Sequence, residues 1–247
     1  MSSYETLAAC YDEFTTDVKY SRWADYITSL FSKYGDETKE VLDLACGTGS
    51  LSVELAKRGF EVIGTDISEE MLSVAMQKTW DIDGTRPMFL HQDMEHLDLY
   101  GTVDAAVCSL DSLNYLTTEQ ALKNAFGRLK LFIRPGGLFV FDVNTDAKFK
   151  ALDGRVFLRE SEDYFCTWSA EYDEETRLST FCYDIFTTKG ELWSRSQETH
   201  TERAHTDGEI RNALAEADFE VLSSFGELSD TTPKTDEYRI FYVAKRK

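Results

Sequence analysis

Ten residues constrain this chain more than any others: Val41-Leu42-Asp43-Leu44-Ala45-Cys46-Gly47-Thr48-Gly49-Ser50. An apolar strand runs into a glycine turn, and a helical pattern begins at once. Glycine lets a backbone approach a ligand closely, and the first N–H groups of the next helix point into the crevice. In doubly wound sheets, ligands sit there, beyond the carboxyl ends of the strands. Two acids reinforce the site. Asp43 lies inside the strand, and Asp66 ends the next one, where a carboxylate can accept both hydroxyls of a ribose.

A regular alternation surrounds this stretch. Trp23, Tyr26, Ile27, Leu30 and Phe31 fall on one helical face, which Gly35 ends. Strands are expected at Glu40–Ala45, Phe60–Thr65, Pro87–His91, Val103–Ser109 and Leu138–Val143. Helices are expected at Ser50–Arg58, at Glu69–Thr79 with Ser68 as N-cap, and at Glu119–Phe132 with Thr117 as cap. Arg134-Pro135-Gly136-Gly137 reads as a turn. Apolar runs such as Ala105–Cys108 suit strands covered on both faces. The fold class is α/β: a doubly wound, mostly parallel, Rossmann-like sheet.

After Val143 the pattern changes. Tyr164–Tyr172, Leu178–Thr187 and Leu192–Arg203 alternate like strands and predict a three-stranded antiparallel meander. The α/β pattern resumes with a capping box, Thr206 and Glu209, and a helix to Ala217. Strands Phe219–Gly226 and Tyr238–Lys245 bring the main sheet to seven. The expected division is a main domain of residues 1–143 and 206–247, with an inserted subdomain of residues 144–205 on the substrate side.

The formal net charge of −19 argues against an extended nucleic-acid surface, which needs clustered Lys and Arg. No apolar run is long enough to span a membrane, and the first residues do not read as a signal peptide. Five cysteines without a CxxC pair point to a reducing, cytoplasmic setting and to neither disulfides nor zinc. The oligomeric state is open.

The glycine turn also discriminates among ligands. A dinucleotide fingerprint needs a third glycine where Ser52 stands, and there is no Gly-Lys-Ser/Thr phosphate loop. Asp43 with Ala45-Cys46-Gly47-Thr48-Gly49 instead resembles the Asp-x-Gly-x-Gly-x-Gly signature of class I S-adenosylmethionine-dependent methyltransferases, with Ala45 at the first glycine. The resemblance runs from about Lys39 to Val143. Asp66-Ile67-Ser68-Glu69-Glu70-Met71 resembles the second motif of that family, which holds the ribose. Gln92-Asp93-Met94 is similar to the third, at the adenine edge. Val103–Leu110, with Ser109, is similar to the fourth. Tyr11-Asp12, Tyr20-x-x-Trp23, Asp111–Leu116 and Glu198-x-His200-x-x-Arg203 resemble a bacterial subgroup. Its members carry a small β insertion and are loosely similar to glycine and amino-sugar N-methyltransferases.

The resemblance implies S-adenosyl-L-methionine as cofactor. It implies contacts from Tyr11, Tyr20, Trp23, Asp43, Ala45, Cys46, Gly47, Gly49, Asp66, Ile67, Met71, Asp93, Met94 and Ser109, with the aromatic residues as a lid. An Asn/Asp-Pro-Pro-aromatic tetrad, expected of enzymes that methylate nucleic-acid amines, is replaced by Cys108-Ser109-Leu110-Asp111. The expected acceptor is therefore a small molecule, methylated on N or O by in-line displacement. A proton acceptor helps such a step. Asp111 and His200 are the catalytic candidates, with Asn114, Tyr115 and Arg203 as substrate contacts. Trp168 and Tyr183 could line the pocket, but their alternation suits packing better. An NAD(P)-dependent oxidoreductase and a non-catalytic cofactor-binding protein are the alternatives.

Overall fold

The computed structural model describes residues 7–80, 82, 84–190 and 192–247. Tyr4, part of the aromatic N-terminus, lies outside them. The strands of the main sheet are β1 (Glu40–Leu44), β2 (Glu61–Asp66), β3 (Met88–His91), β4 (Val103–Cys108), β5 (Ile133–Asn144), β10 (Phe219–Gly226) and β11 (Arg239–Arg246). Their spatial order is β10-β11-β5-β4-β1-β2-β3, and only β11 runs against the rest. Chain order reverses between β1 and β4, so the crevice opens at the carboxyl end of β1.

Period-two alternation buries both faces of the sheet. On β5, Leu138 and Val140 join Trp23, Ile27, Leu30 and Phe31 of helix α2 (Tyr20–Tyr34). Phe139 and Phe141 point the other way, to Phe126 of α5 (Glu119–Phe132) and Leu214 of α7 (Asp207–Glu216). Gly35 ends α2 in extended conformation, and the need for glycine there is close approach. An added Cβ would lie 2.9 Å from the Phe31 carbonyl oxygen and 3.0 Å from Leu138 Cδ1.

Ser68 caps α4 (Glu69–Lys78), as its sequence indicates, and the Thr206–Glu209 box closes at both ends. Three expectations are corrected. The cap of α5 is Thr118, not Thr117; its hydroxyl accepts from the Ala121 amide at 3.0 Å, because only the residue next to the helix reaches that N–H. The stretch at residues 134–137 is not a turn between elements but a bulge within β5: Val103 pairs with Ile133 and Ala105 with Leu138. The inserted sheet has four strands, not three.

That second sheet is a meander of β6 (Val156–Glu160), β7 (Tyr164–Asp173), β8 (Leu178–Lys189) and β9 (Leu192–Arg203). The short helix α6 (Asp146–Leu152), also unexpected from the sequence, leads into it and buries Phe149 against Ala170, Phe181 and Ala204. β6 escapes periodicity because its residues are mostly exposed on an edge. Trp168 stacks on Phe157 at 4.0 Å, and Tyr183 packs edge-on to His200, in keeping with their alternation. Helix α1 (Leu7–Phe14) bridges the two sheets. Leu7 and Cys10 pack against Cys166 and Ile185, and the Leu7 amide donates to Glu198 Oε1 at 2.9 Å. Among the described residues, no helix is long and apolar enough to cross a membrane.

Candidate active site

The turn after β1 is built from left-handed backbone at Ala45 (φ 57°), Gly47 (φ 54°) and Gly49 (φ 70°). The two glycines serve different ends. A Cβ on Gly47 would meet nothing within 4 Å and would project into open space. A Cβ on Gly49 would lie 2.8 Å from both Ala75 Cβ and Phe89 Cζ, so this glycine permits packing of the turn on α4 and β3. Helix α3 (Ser50–Lys57) follows.

Beside this turn lies a cavity of about 350 Å³. Of the expected cofactor residues, Tyr11, Tyr20, Asp43, Ala45, Cys46, Gly47, Asp66, Ile67, Met71, Asp93, Met94 and Ser109 line it, as does Tyr115. Thr48, Ser50, Gln92, Leu110 and Ser112 also line it and were missed. Each neighbours a recognised motif residue, so proximity in sequence was the available signal. Asp66 Oδ2 accepts from the Gly47 amide at 2.8 Å and Oδ1 from the Ser68 amide at 2.9 Å. Burial pushes its pKa up, and these amides act against the rise. Each oxygen keeps a lone pair for a further donor. Asp43 is buried and accepts from Ser52 Oγ at 2.5 Å. Burial, aided by the charge of Asp66, pushes its carboxyl up to about 7. Burial likewise raises the Tyr20 hydroxyl to about 12.

The remaining expected residues lie behind the cavity wall. Trp23 packs on Phe241, with the Arg239 guanidinium 5.5 Å from its ring centre. Asp111 binds Arg239 Nη2 at 2.7 Å, and Arg239 also pairs with Asp142. Asp142 in turn accepts from the amides of Leu110 (2.8 Å) and Asp111 (3.0 Å), which both hold left-handed backbone at φ 57° and 58°. Burial works against ionisation of Asp111, but Arg239 and Lys148 outweigh it and hold its pKa below the usual value. Asn114 donates to the carbonyls of Asn144 (3.0 Å) and Arg203 (2.8 Å), tying the two sheets together. The Arg203 side chain pairs with Glu209 at 2.8 Å and faces α7. His200 is buried between Glu198 (3.1 Å) and the Tyr115 hydroxyl (2.9 Å). It bonds to Tyr115, which lines the cavity. Arg239 is the member of this constellation that sequence patterning missed, because its partners stand 97 and 128 residues away.

Besides Tyr11, which lines the cavity, α1 reaches the glycine turn through Asp12. Asp12 accepts from Thr48 Oγ1 at 2.7 Å and binds Lys78 Nζ at 2.5 Å. The helix carrying Tyr11 is thus pinned to the glycine turn on one side and to the small sheet on the other.

Comparison with known proteins agrees with this geometry. A methyltransferase domain model matches residues 41–137. YqeM of Bacillus subtilis (strain 168), which carries the name of a methyltransferase with no acceptor given, is 32% identical over 246 residues, covering 98% of this chain and 97% of that one. The chain belongs to the S-adenosylmethionine-dependent methyltransferases. The crystal structure of a member from Clostridium acetobutylicum ATCC 824 superposes with a TM-score of 0.87 at 29% identity, covering 98% of each chain. A glycine/sarcosine N-methyltransferase from Parasynechococcus marenigrum (strain WH8102) is 24% identical over 220 residues, 87% of this chain and 74% of that one.

The methyltransferase fits its cofactor at the residue level. Open space over Gly47 leaves room for a ligand against the backbone, and Asp66 lines the cavity beside it. Ser52 stands where a dinucleotide site has glycine, and its hydroxyl is committed to Asp43. The oxidoreductase alternative is set aside.

Proposed function

We propose that this methyltransferase acts on a nitrogen or oxygen of a small molecule by in-line displacement. The observation that carries the reading is the size and lining of the cavity. Tyr11 and Tyr20 line it beside Asp43 and Gly47, and α1 is clasped by Asp12 to the glycine turn. A cavity of about 350 Å³ with three tyrosines in its wall suits a small acceptor better than a polymer. The net charge of −19 and the replaced tetrad at Cys108–Asp111 point away from nucleic acid. The name of the glycine/sarcosine relative is in keeping with such an acceptor. Residues 144–205 form the substrate-side subdomain of this reading, and the free cysteines suit a cytoplasmic protein.

Bound S-adenosylmethionine supplies an electrophilic methyl group, so the protein's work is alignment and exclusion of water. In this reading Asp66 holds the ribose, Ile67 and Met71 flank it, and Asp93 and Met94 meet the adenine. Cys46, Gly47 and Ser109 wall the cofactor, and Tyr11 and Tyr20 close over the transferred methyl. Asp111 and His200 act as positioning residues, Asp111 by holding Arg239 and the Leu110 loop, and His200 by orienting the Tyr115 hydroxyl.

The test has two stages. S-adenosylhomocysteine should raise the melting temperature, whereas NAD should not; stabilisation by NAD alone would overturn the reading. Labelled cofactor incubated with fractionated cell extract should then mark the small-molecule fraction. Label found only in RNA or protein would overturn the acceptor class.

A further inference from the structure

Behind Tyr11 and Tyr115 the two sheets meet over buried charge. Asp142, Glu202 and Arg239 are buried and the half-buried Asp111 and Lys148 flank them, which makes three carboxylates against two cations. Arg239 is spent on Asp111 and Asp142, and Lys148 Nζ donates to Asn144 Oδ1 at 3.0 Å. The Asn144 side chain lies beside both Asp111 and Glu202. With all five groups ionised, the count is three negative against two positive. One buried negative charge then lacks a partner, a costly arrangement unless something supplies it.

An independent observation marks where that partner belongs. Glu202 is 5% exposed, and its Oε2 has no hydrogen-bond partner. Directly opposite in the β8–β9 register stands Ser179, fully buried, whose hydroxyl also has none. Neighbouring positions on paired strands share one sheet face. A carboxylate oxygen and a hydroxyl on one sheet face thus both lack a hydrogen-bond partner, where native structures nearly always satisfy buried polar atoms.

We propose that this cluster receives the ammonium group of the methyl acceptor, with Glu202 as the carboxylate that holds it and takes its proton. The proposal rests on the methyltransferase reading and narrows its acceptor to an amine. An ammonium supplies the counter-charge that an ionised Glu202 needs and donates to Glu202 and Ser179 together; a neutral hydroxyl supplies none. Glu202 shares its face of β9 with His200, two residues before it, and His200 bonds to the hydroxyl of Tyr115, which lines the cavity, so the acceptor in this proposal approaches from the cavity side. Tyr11 lines the cavity and feels the charge of Asp111, while Tyr183 feels both Glu202 and Asp111. Burial and the charge of Asp111 raise the Glu202 carboxyl well above its usual range, which makes it a competent base. An arriving ammonium replaces the proton held there as counter-charge. When the nitrogen lone pair is needed, its N–H bond breaks as an O–H bond forms on Glu202.

Calorimetry on the protein saturated with S-adenosylhomocysteine tests this. The probes are ethanolamine, glycinamide and galactosamine, each beside its hydroxyl counterpart: ethylene glycol, glycolamide and galactose. At least one ammonium probe should bind about tenfold more tightly than its counterpart. Titrations in buffers of different ionisation heat should show about one proton released. Glu202→Gln should lower that affinity about tenfold and leave S-adenosylhomocysteine binding unchanged. Where this variant does not fold, Ser179→Ala serves, with a several-fold loss expected. Equal binding of amine and hydroxyl probes, no binding of any ammonium probe, or undiminished affinity in the variant overturns the proposal. Failure of the unaltered protein to bind S-adenosylhomocysteine would instead overturn the methyltransferase reading.

Discussion

The Ser52 hydroxyl donates to Asp43 Oδ2 across 2.5 Å, joining the first turn of α3 to the strand that feeds the glycine turn. Both residues are buried, and the bond opposes the rise that burial imposes on the Asp43 carboxyl. With a folded pKa of about 7 against about 3.9 in the unfolded chain, the native state keeps a proton that the unfolded chain has released. The contribution of Asp43 to stability is therefore full below about pH 4 and falls as the pH climbs toward about 7. Asp43→Asn should remove this slope, and Ser52→Ala should cost about 1–3 kcal/mol, more at pH 8 than at pH 5. Urea unfolding at the two pH values checks both. An unaltered slope in Asp43→Asn would show that another group carries it.

The two glycines of the turn should separate on substitution. Gly47→Ala places a methyl group in the cavity on left-handed backbone, a strain of about 1–2 kcal/mol. Its main effect should be loss of the thermal shift produced by S-adenosylhomocysteine. Gly49→Ala drives a Cβ into Ala75 and Phe89, and should cost about 2–4 kcal/mol before any ligand is added. Melting curves with and without S-adenosylhomocysteine distinguish the two. Identical behaviour would refute the division of labour.

Asp12 should matter for closure more than for folding. Its carboxylate is 40% exposed, and an ion pair so placed contributes about 0–1 kcal/mol. Asp12→Asn should change the melting temperature little. It should weaken S-adenosylhomocysteine binding several-fold and speed amide exchange over residues 7–14, since it frees α1 from Thr48 and Lys78. Unchanged exchange in that helix would show that the small sheet alone holds it.

Arg239 answers two buried carboxylates, so its removal should be severe. Arg239→Met leaves Asp111 and Asp142 without their cation and should cost about 3–5 kcal/mol. By contrast, Lys123→Ala breaks the exposed pair with Glu216 and should cost less than about 1 kcal/mol. Denaturant titration of the two variants measures the difference. A loss at Arg239 as small as at Lys123 would mean that the cluster is not dry.

The amino-acid sequence by itself determined the main sheet, the switch point at β1 and much of the lining of the cavity. These rest on local signals: period-two apolar runs covered on both faces, helix caps, and glycines between a strand and a helix. Asp43, Gly47, Asp66 and Asp93 could be read because each stands at the end of an element or in the turn that follows it. Thr118 instead of Thr117, and a bulge in place of a turn at residues 134–137, mark the limit of that reading, because neighbouring candidates differ only in three-dimensional reach. The exposed edge strand β6 left no pattern to read. Tertiary structure alone decided the back of the site. It carried Trp23 and Arg203 away from the cavity, set His200 behind Tyr115, and joined Asp111, Asp142, Arg239 and Glu202 into one cluster. The physical reason is that a charge cluster forms between strands far apart in the chain, and neither periodicity nor spacing encodes which distant ion will neutralise a buried one.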